Sequence, residues 1–192
     1  RLAAAGVKPA DVDFVLITHL HVDHVGWNTV HDGSRWVPTF PNARYVFSDA
    51  EYRFYADERH VQTPSAGVFA DSVQPVVDAG QALLIDAENQ QPVDGLTFHK
   101  SRGHSFDHLS IGLVSGGEHG LFSGDVMHHP VQVAQPGWNS VFCEFQDDAR
   151  RSRLWALNFA ADNRATFFSS HFPGTSAGVV ERHDGGFVWI PR

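Results

Sequence analysis

The sequence is poor in sulfur. Its single cysteine, Cys143, excludes an intrachain disulfide and also excludes a zinc site built on several thiolates. A metal site in this chain would therefore use histidine and carboxylate ligands. No basic residue stands beside Cys143 in the sequence, so we expect an unreactive thiol.

Methionine is equally scarce. The only one is Met127, and the chain begins at Arg1. We therefore expect that the chain lacks its translational start, and that further elements and any signal peptide precede Arg1 in the complete protein. The cellular compartment is consequently left open, with the cytoplasm favoured.

Long apolar runs and clustered positive charge are also missing. No run approaches the roughly eighteen apolar residues of a membrane-spanning helix, so we expect a soluble protein without a membrane partner. Lysine occurs only twice and the formal net charge is -8, which argues against a nucleic-acid groove. The one dense basic group, Arg150, Arg151 and Arg153, is interpreted as a solvated helix face. A small molecule is the expected substrate, and a homodimer stays open.

Histidine, in contrast, is abundant, with thirteen residues. The apolar run Phe14–Ile17 predicts a buried strand, and four potential metal ligands follow it directly, namely His19, His21, Asp23 and His24. Alternation along extended backbone puts His19 and His21 on one side, and a tight turn into a short helix would bring the other two round. Together these side chains carry more ligating atoms than one tetrahedral ion can bind, which indicates two ions.

Three further candidates repeat one arrangement, in which an apolar strand is followed by a small residue or glycine and then by a ligand. They are His104, Asp125 and His171. Loops at strand ends commonly display functional groups. The sequence thus offers seven candidate ligands.

The remaining pattern predicts an α+β chain that forms one domain over residues 1–192. A helix end that stops at Gly6 is predicted first. Further helices are predicted over Asp49–Asp57, Val68–Ala79 and Asp147–Asp162, the first of them opened by a capping box of Ser48 and Glu51. Loops are predicted over Trp27–Pro41 and His60–Gly67, the latter as a candidate lid.

Strands are predicted by short apolar runs between turn residues. Four of these runs are expected to form an antiparallel meander, namely Leu83–Ile85, Leu96–His99, Leu109–Val114 and Leu121–Phe122. Further strands are expected at Tyr45–Phe47 and Thr166–Phe168. Gly178–Arg182 and Phe187–Ile190 are expected to form a terminal hairpin.

The candidate ligands resemble the metallo-β-lactamase superfamily. The family signature H-x-H-x-D-H and its three later ligand positions are all filled, by His19, His21, Asp23, His24, His104, Asp125 and His171. The resemblance covers nearly the whole chain. It implies an α+β fold, the αββα sandwich of that family, here without its first strands.

The resemblance also implies two zinc ions, with iron or manganese as other possible metals. One ion would be held by His19, His21 and His104, the second by Asp23, His24 and His171, with Asp125 bridging the pair. Asp23 would in addition act catalytically, by orienting the attacking hydroxide and passing its proton to the leaving group.

Within the superfamily, residues 18–28 are most similar to quorum-quenching lactonases and to related aryl-ester and organophosphate hydrolases. The implied activity is a hydrolase that uses a metal-bridging hydroxide to open a lactone or cleave a related ester. Two alternatives stay open. One is a phosphotriester or phosphodiester hydrolase on the same site, and the other is a non-hydrolytic, iron-binding redox member.

One departure from the family pattern lies three residues after Asp125. Lactonases of the family commonly carry a tyrosine at this position, which here is His128. His128 either supplies the same hydrogen bond to the substrate oxygen, as a second catalytic residue, or points away from the pocket.

The other singled-out residues are given supporting roles. His108 is interpreted as a structural hydrogen-bond donor behind the ligands. Trp138, Phe106 and Phe172 are candidates for an apolar substrate wall. The loop residues His31 and His60 are expected to be exposed.

Overall fold

A computed structural model describes residues 2–60 and 65–192, so residues 61–64 of the predicted lid lie outside the described residues. The chain divides into two compact units, Arg1–Asp86 and Ala87–Arg192. The prediction of one domain over residues 1–192 stays a prediction. In the described residues, no helix is long and apolar enough to cross a membrane.

The first unit contains a parallel three-stranded sheet and a separate two-stranded hairpin, which lies between the first and second strands of that sheet in the sequence. Its strands are, in chain order, β1 (Phe14–Leu16), β2 (Thr29–His31), β3 (Trp36–Pro38), β4 (Arg44–Ser48) and β5 (Ala82–Ile85). The sheet has the order β1-β4-β5, and both pairings are parallel. Tyr45, Val46 and Phe47 of the central β4 are buried, as its apolar run predicts.

Two predictions for this sheet are wrong. β1 was predicted to be buried, but it lies at the edge of the sheet order and the Phe14 side chain is 41% exposed. β5 was placed in the antiparallel meander, whereas it pairs in parallel with β4. The reason is that the chain between β4 and β5 passes through helices, and such a crossover returns the chain in the same direction.

The helices of the first unit are short. They are α1 (Val22–Val25), α2 (Asp49–Tyr55) and α3 (Gln74–Asp78). A π-helical segment, Phe69–Val73, precedes α3, and among the described residues 3₁₀ turns lie at Ala3–Ala5, Pro9–Asp11 and Glu58–His60. The Ser48 hydroxyl accepts a hydrogen bond from the Glu51 amide at 3.1 Å, which confirms the Ser48 side of the predicted capping box of α2. Gly6 has φ 75° and ends the first turn, also as predicted.

The segment Trp27–Pro41 was predicted to be loop, and this is wrong because it contains the β2–β3 hairpin. Asp32 builds the turn, since its Oδ1 accepts hydrogen bonds from the backbone amides of Ser34 and Arg35. The Ser34 amide is the main reason that the pKa of Asp32 is lowered to about 2. A carboxylate turn of this kind pairs two strands that have little apolar pattern of their own.

The second unit is a six-stranded sheet with helices. Its strands are β6 (Leu96–Lys100), β7 (Leu109–Ser115), β8 (Glu118–Phe122), β9 (Thr166–Phe168), β10 (Ala177–His183) and β11 (Gly186–Pro191), and its helices are α4 (Val131–Ala134) and α5 (Gln146–Asp162). The strand order is β11-β10-β9-β8-β7-β6, antiparallel except for β8 and β9. The meander β6-β7-β8 and the terminal hairpin are therefore confirmed, the hairpin turning at Asp184 and Gly185 with φ 46° and 78°.

One face of α5 forms the core of this unit. Ala156, Leu157 and Ala160 are fully buried in a cluster that includes Phe167 of β9. Phe172 belongs to the same cluster, with its ring 5.0 Å from that of Trp189. The assignment of Phe172 to a substrate wall is therefore wrong, because its ring is used in the core.

Arg153 also departs from its prediction, since it lies on the buried side of α5 and is fully buried. Its guanidinium donates to the carbonyls of Val126 (3.1 Å) and Pro136 (2.7 Å) and to Oδ1 of Asn139 (3.1 Å). Burial lowers its pKa. The interpretation of all three arginines as a solvated face fails here, because Arg153 provides the hydrogen-bond donors for the segment that follows Asp125.

We expect Arg153→Met to lower the free energy of unfolding by about 2–5 kcal/mol, because it removes the donor of the buried Val126 carbonyl and of the partly buried acceptors on Pro136 and Asn139. Arg151 provides a matched control two residues away on α5, since its side chain is 71% exposed and pairs with Asp148 on the surface. Arg151→Met should change stability by less than about 1 kcal/mol. Urea unfolding followed by circular dichroism measures both, and equal losses would contradict the buried role of Arg153.

Candidate metal centre

The first group of predicted ligands lies directly after β1. The Ile17 amide donates to the Val46 carbonyl at 3.0 Å and so continues the strand up to the histidines. The imidazole rings of His19 and His21 lie 4.7 Å apart, and those of His19 and His24 lie 4.0 Å apart. α1 turns the chain here as predicted, so that residues from both sides of the turn share one small volume.

Polar contacts fix this group from within the first unit. The Leu20 amide donates to Oε1 of the buried Glu51 at 3.3 Å, which holds the backbone between the histidines. Nδ1 of His19 lies 3.0 Å from the Thr18 hydroxyl, a contact that points to Nε2 as the ligating atom of this ring. Asp23 is half exposed, with Oδ2 3.4 Å from Nε2 of His24. Sequence reasoning missed this supporting role of Glu51, because its link to Leu20 spans 31 positions.

The second group centres on the buried carboxylate of Asp125. Three imidazole Nε2 atoms face its Oδ2, those of His171 at 2.9 Å, His128 at 3.3 Å and His104 at 3.4 Å. The His128 ring is stacked on that of His171 at 5.2 Å and lies 4.9 Å from that of His104. Three separate loops therefore bring imidazole nitrogens close to one carboxylate oxygen.

These distances fit a divalent ion. Ligand atoms on one tetrahedral zinc, each about 2.0–2.1 Å from the metal, lie about 3.3 Å from one another. The separation of His104 from Asp125 matches this spacing, and the ligand atoms of Asp125 and His171 lie within 4.8 Å of one another. Imidazole and carboxylate donors suit zinc and neighbouring transition metals. The residues present therefore fit the metal that the resemblance implies.

A chain of buried hydrogen bonds positions Asp125 from behind. Its backbone amide donates to Nε2 of His108 at 3.0 Å, so Nδ1 of His108 carries the proton and donates to the Ser101 hydroxyl at 2.8 Å. Ser101 in turn lies 2.8 Å from the hydroxyl of Ser110, which donates to the Ser123 carbonyl at 3.2 Å. This chain crosses the ends of β6, β7 and β8 and fixes both the tautomer of His108 and the backbone at Asp125.

The prediction for His108 is thus half correct. The residue is structural, but towards Asp125 it is a hydrogen-bond acceptor and not a donor. The three serines were missed, because a single serine in a strand has no sequence signal that separates it from a surface residue.

The loop that carries His104 lies against the start of α5. The amides of Glu144 and Phe145 donate to the carbonyls of His104 (3.1 Å) and Gly103 (2.8 Å). Gly103 has φ 124°, and a Cβ atom at this position would lie 2.0 Å from the Ala149 nitrogen. Only glycine allows so close an approach, and the position of His104 therefore depends on it.

The loop after Asp125 is held by two buried polar side chains. Gln132 accepts hydrogen bonds from the amides of His128 (2.7 Å) and His129 (3.2 Å), and it donates to the Trp138 carbonyl at 2.9 Å. Arg153 adds the bonds to Val126, Pro136 and Asn139 described above. The side chain of His128 is mostly buried, and its Nδ1 has no hydrogen-bond partner among the residues that the structure describes.

The other singled-out residues surround this region without joining it. Cys143 is buried, and burial raises the pKa of its thiol, in keeping with the expected inertness. Trp138 and Phe106 are exposed, as a substrate wall requires. His31 and His60 are exposed as expected, although the His60 ring stacks on Phe54.

Each unit therefore gathers its own predicted residues. The first unit brings together His19, His21, Asp23 and His24, and the second brings together His104, Asp125 and His171. His128 joins the second group at the same distance as a ligand. The roles that the sequence assigned to these residues stay predictions.

The sequence profile of the metallo-beta-lactamase superfamily matches residues 1–171. Among curated protein sequences, none matches the chain.

Among solved structures, the chain is similar to the hydrolase AbOPH of the beta lactamase superfamily, with 28% identity and a TM-score of 0.86 over all of this chain and 68% of that one. It is also similar to AidC, described as a dizinc quorum-quenching lactonase, with 25% identity and a TM-score of 0.84 over all of this chain and 68% of that one. A probable metal-dependent hydrolase from Staphylococcus aureus shares the fold, with 23% identity and a TM-score of 0.79 over all of this chain and 66% of that one.

The chain thus spans about two thirds of the length of these structures. The profile match covers both units and includes all seven predicted ligand positions. The α+β chain therefore belongs to the metallo-β-lactamase superfamily and has its fold.

Proposed function

We propose that this chain is a dinuclear zinc hydrolase that opens a lactone or cleaves a related ester of a small-molecule substrate. The observation that carries the proposal is the convergence of three imidazoles on the buried carboxylate of Asp125. Its similarity to hydrolases, among them a lactonase described as dizinc, supports the same reaction class.

The proposed ligand sets follow the order of the family signature. His19, His21 and His104 would hold one zinc ion, and Asp23, His24 and His171 would hold the second. Asp125 would contact both. The compact packing of the histidine rings inside each unit supports this assignment, since few side chains would have to move to accept the ions.

When bound, the two ions would supply an activated water as nucleophile and would polarise the scissile carbonyl. The chain itself provides the proton transfer. Asp23 is the most exposed carboxylate of the set, so it can take the proton of the attacking water and release it to the leaving oxygen. Asp125 is buried and is surrounded by imidazoles, so its part is to bind and not to exchange protons.

We propose that His128 donates a hydrogen bond to the substrate oxygen. Its Nε2 lies 3.3 Å from Oδ2 of Asp125, beside the position where a reacting carbonyl would be held. Gln132 fixes the backbone of His128 through a 2.7 Å hydrogen bond, so the imidazole is preorganised. Such a donor acts on the charge that develops on the oxygen during the reaction.

The proposal predicts two zinc ions per chain and hydrolysis of acyl-homoserine lactones or aryl esters. Elemental analysis of the purified protein and a substrate panel that also contains phosphotriesters and phosphodiesters measure both. Activity on the phosphoryl substrates alone would contradict the ester or lactone substrate and would support the alternative, a phosphotriester or phosphodiester hydrolase. Bound iron with visible absorbance and no hydrolysis would contradict the hydrolase and would support the alternative, an iron-binding redox protein.

Asp125→Asn should lower zinc content to one ion per chain or fewer and reduce turnover with it, because an amide is a poor metal ligand. Asp107→Asn is a matched control, since Asp107 is buried in the same unit but pairs with Arg102 at 2.6 Å. It should keep two zinc ions. Equal zinc loss in the two variants, measured after dialysis against a weak chelator, would show that Asp125 has no special role.

His128→Phe should reduce kcat/KM by about 10²–10³ while both zinc ions stay bound, because one hydrogen-bond donor to the developing charge is lost. The neighbouring His129 is exposed and serves as the control. His129→Phe should leave kcat/KM within about twofold, as expected of a surface substitution. A loss of zinc in His128→Phe would assign this residue to the metal instead of the substrate.

A further inference from the structure

The segment between α4 and α5 presents apolar side chains to solvent. Trp138 is 60% exposed, Val141 88% and Phe142 61%. Residues 136–143 contain no charged side chain. Large apolar groups that cluster on one exposed segment commonly mark a binding surface.

This segment is nevertheless firmly held. At its beginning, Arg153 donates a hydrogen bond to the Pro136 carbonyl, and Gln132 donates one to the Trp138 carbonyl. The Asn139 side chain donates to the Gln146 carbonyl at 2.9 Å. Two residues after Phe142, the Glu144 amide donates to the His104 carbonyl at 3.1 Å. The exposure of Phe142 is therefore a property of a fixed backbone.

Phe142 also lies beside the metal-centre residues of its own unit. Its ring is 6.0 Å from that of His128, whose Nε2 is 3.3 Å from Asp125. If the substrate carbonyl is held at Asp125 and His128, the substituent on that carbonyl would lie next to the Phe142 ring. An exposed, uncharged aromatic ring favours an apolar group at that position over a charged one.

We infer that Phe142 contacts the aliphatic acyl chain of the substrate and so makes this enzyme select esters or lactones with longer chains. The inference rests on the proposed ester hydrolysis, whose substrate class it narrows. It also corrects the predicted substrate wall, since Phe142 takes the place that was assigned to Phe172. Each methylene group fully removed from water is worth about a three- to fourfold preference, so a chain that covers one ring face should gain about tenfold in all.

The test compares kcat/KM for p-nitrophenyl acetate and p-nitrophenyl octanoate in the zinc-loaded chain and in variants. We expect the wild-type chain to prefer the octanoyl ester by about tenfold or more, and Phe142→Ala to lose most of this preference. Phe142→Leu should restore part of it, because leucine returns apolar area. Val114→Ala is the control, since this valine of β7 is 52% exposed and lies outside the apolar segment, so it should leave the preference unchanged.

A binding measurement separates this inference from the proposed function. Calorimetry with acetate and octanoate should show the same preference in the wild-type chain and the same loss in Phe142→Ala, whether or not any ester is hydrolysed. If the wild-type chain hydrolyses no ester but binds octanoate through Phe142, the proposed function fails and the apolar subsite stands.

Three outcomes would overturn the inference. The first is an unchanged octanoyl preference in Phe142→Ala, and the second is an equal loss on both esters, which would indicate a structural role only. The third is a change of oligomeric state in Phe142→Ala with the preference intact, which sedimentation velocity would detect. That result would assign the exposed segment to contact between copies of the chain.

Discussion

A carboxylate that is kept out of water is the constraint on which the second unit depends. Asp125 is buried, and an isolated buried anion is strongly unfavourable. Three imidazoles surround one oxygen atom of this carboxylate, and the backbone amide of Asp125 donates a hydrogen bond to His108. Because these groups come from different loops, the loops must meet at one place for the carboxylate to be tolerated. The same arrangement gives the carboxylate the imidazole neighbours that the proposed metal site requires.

The two units reach their ligand groups by different physical means. In the first unit the ligands are close in sequence, and one strand end followed by a single helical turn is enough to gather them. In the second unit the ligands are far apart in sequence, and buried side chains without metal chemistry keep their loops in place. Gln132, Arg153 and the hydroxyls of Ser101 and Ser110 have this function. A site of this kind is as sensitive to its supporting residues as to its ligands.

Much of the site could be predicted from the sequence, because ligands in a short motif or at the end of an apolar strand leave a local pattern. His19 to His24 and the strand ends before His104, Asp125 and His171 are examples. The parallel pairing of β5 and the burial of Arg153 could not be predicted, since both depend on partners far away in the chain. The β2–β3 hairpin was missed because a carboxylate turn at Asp32, and not an apolar pattern, defines it. Phe172 and Phe142 show the same limit, as the sequence cannot tell a core ring from an exposed one.

Helix α5 connects to both sides of the carboxylate centre. The first turn of α5 lies against Gly103, so a movement of the helix also moves His104. Arg153, in the middle of α5, donates a hydrogen bond to the Val126 carbonyl next to Asp125. A rigid displacement of the helix would therefore move His104 and Asp125 in the same direction. The distance between two side chains from different loops is in this way tied to one rigid element of the unit.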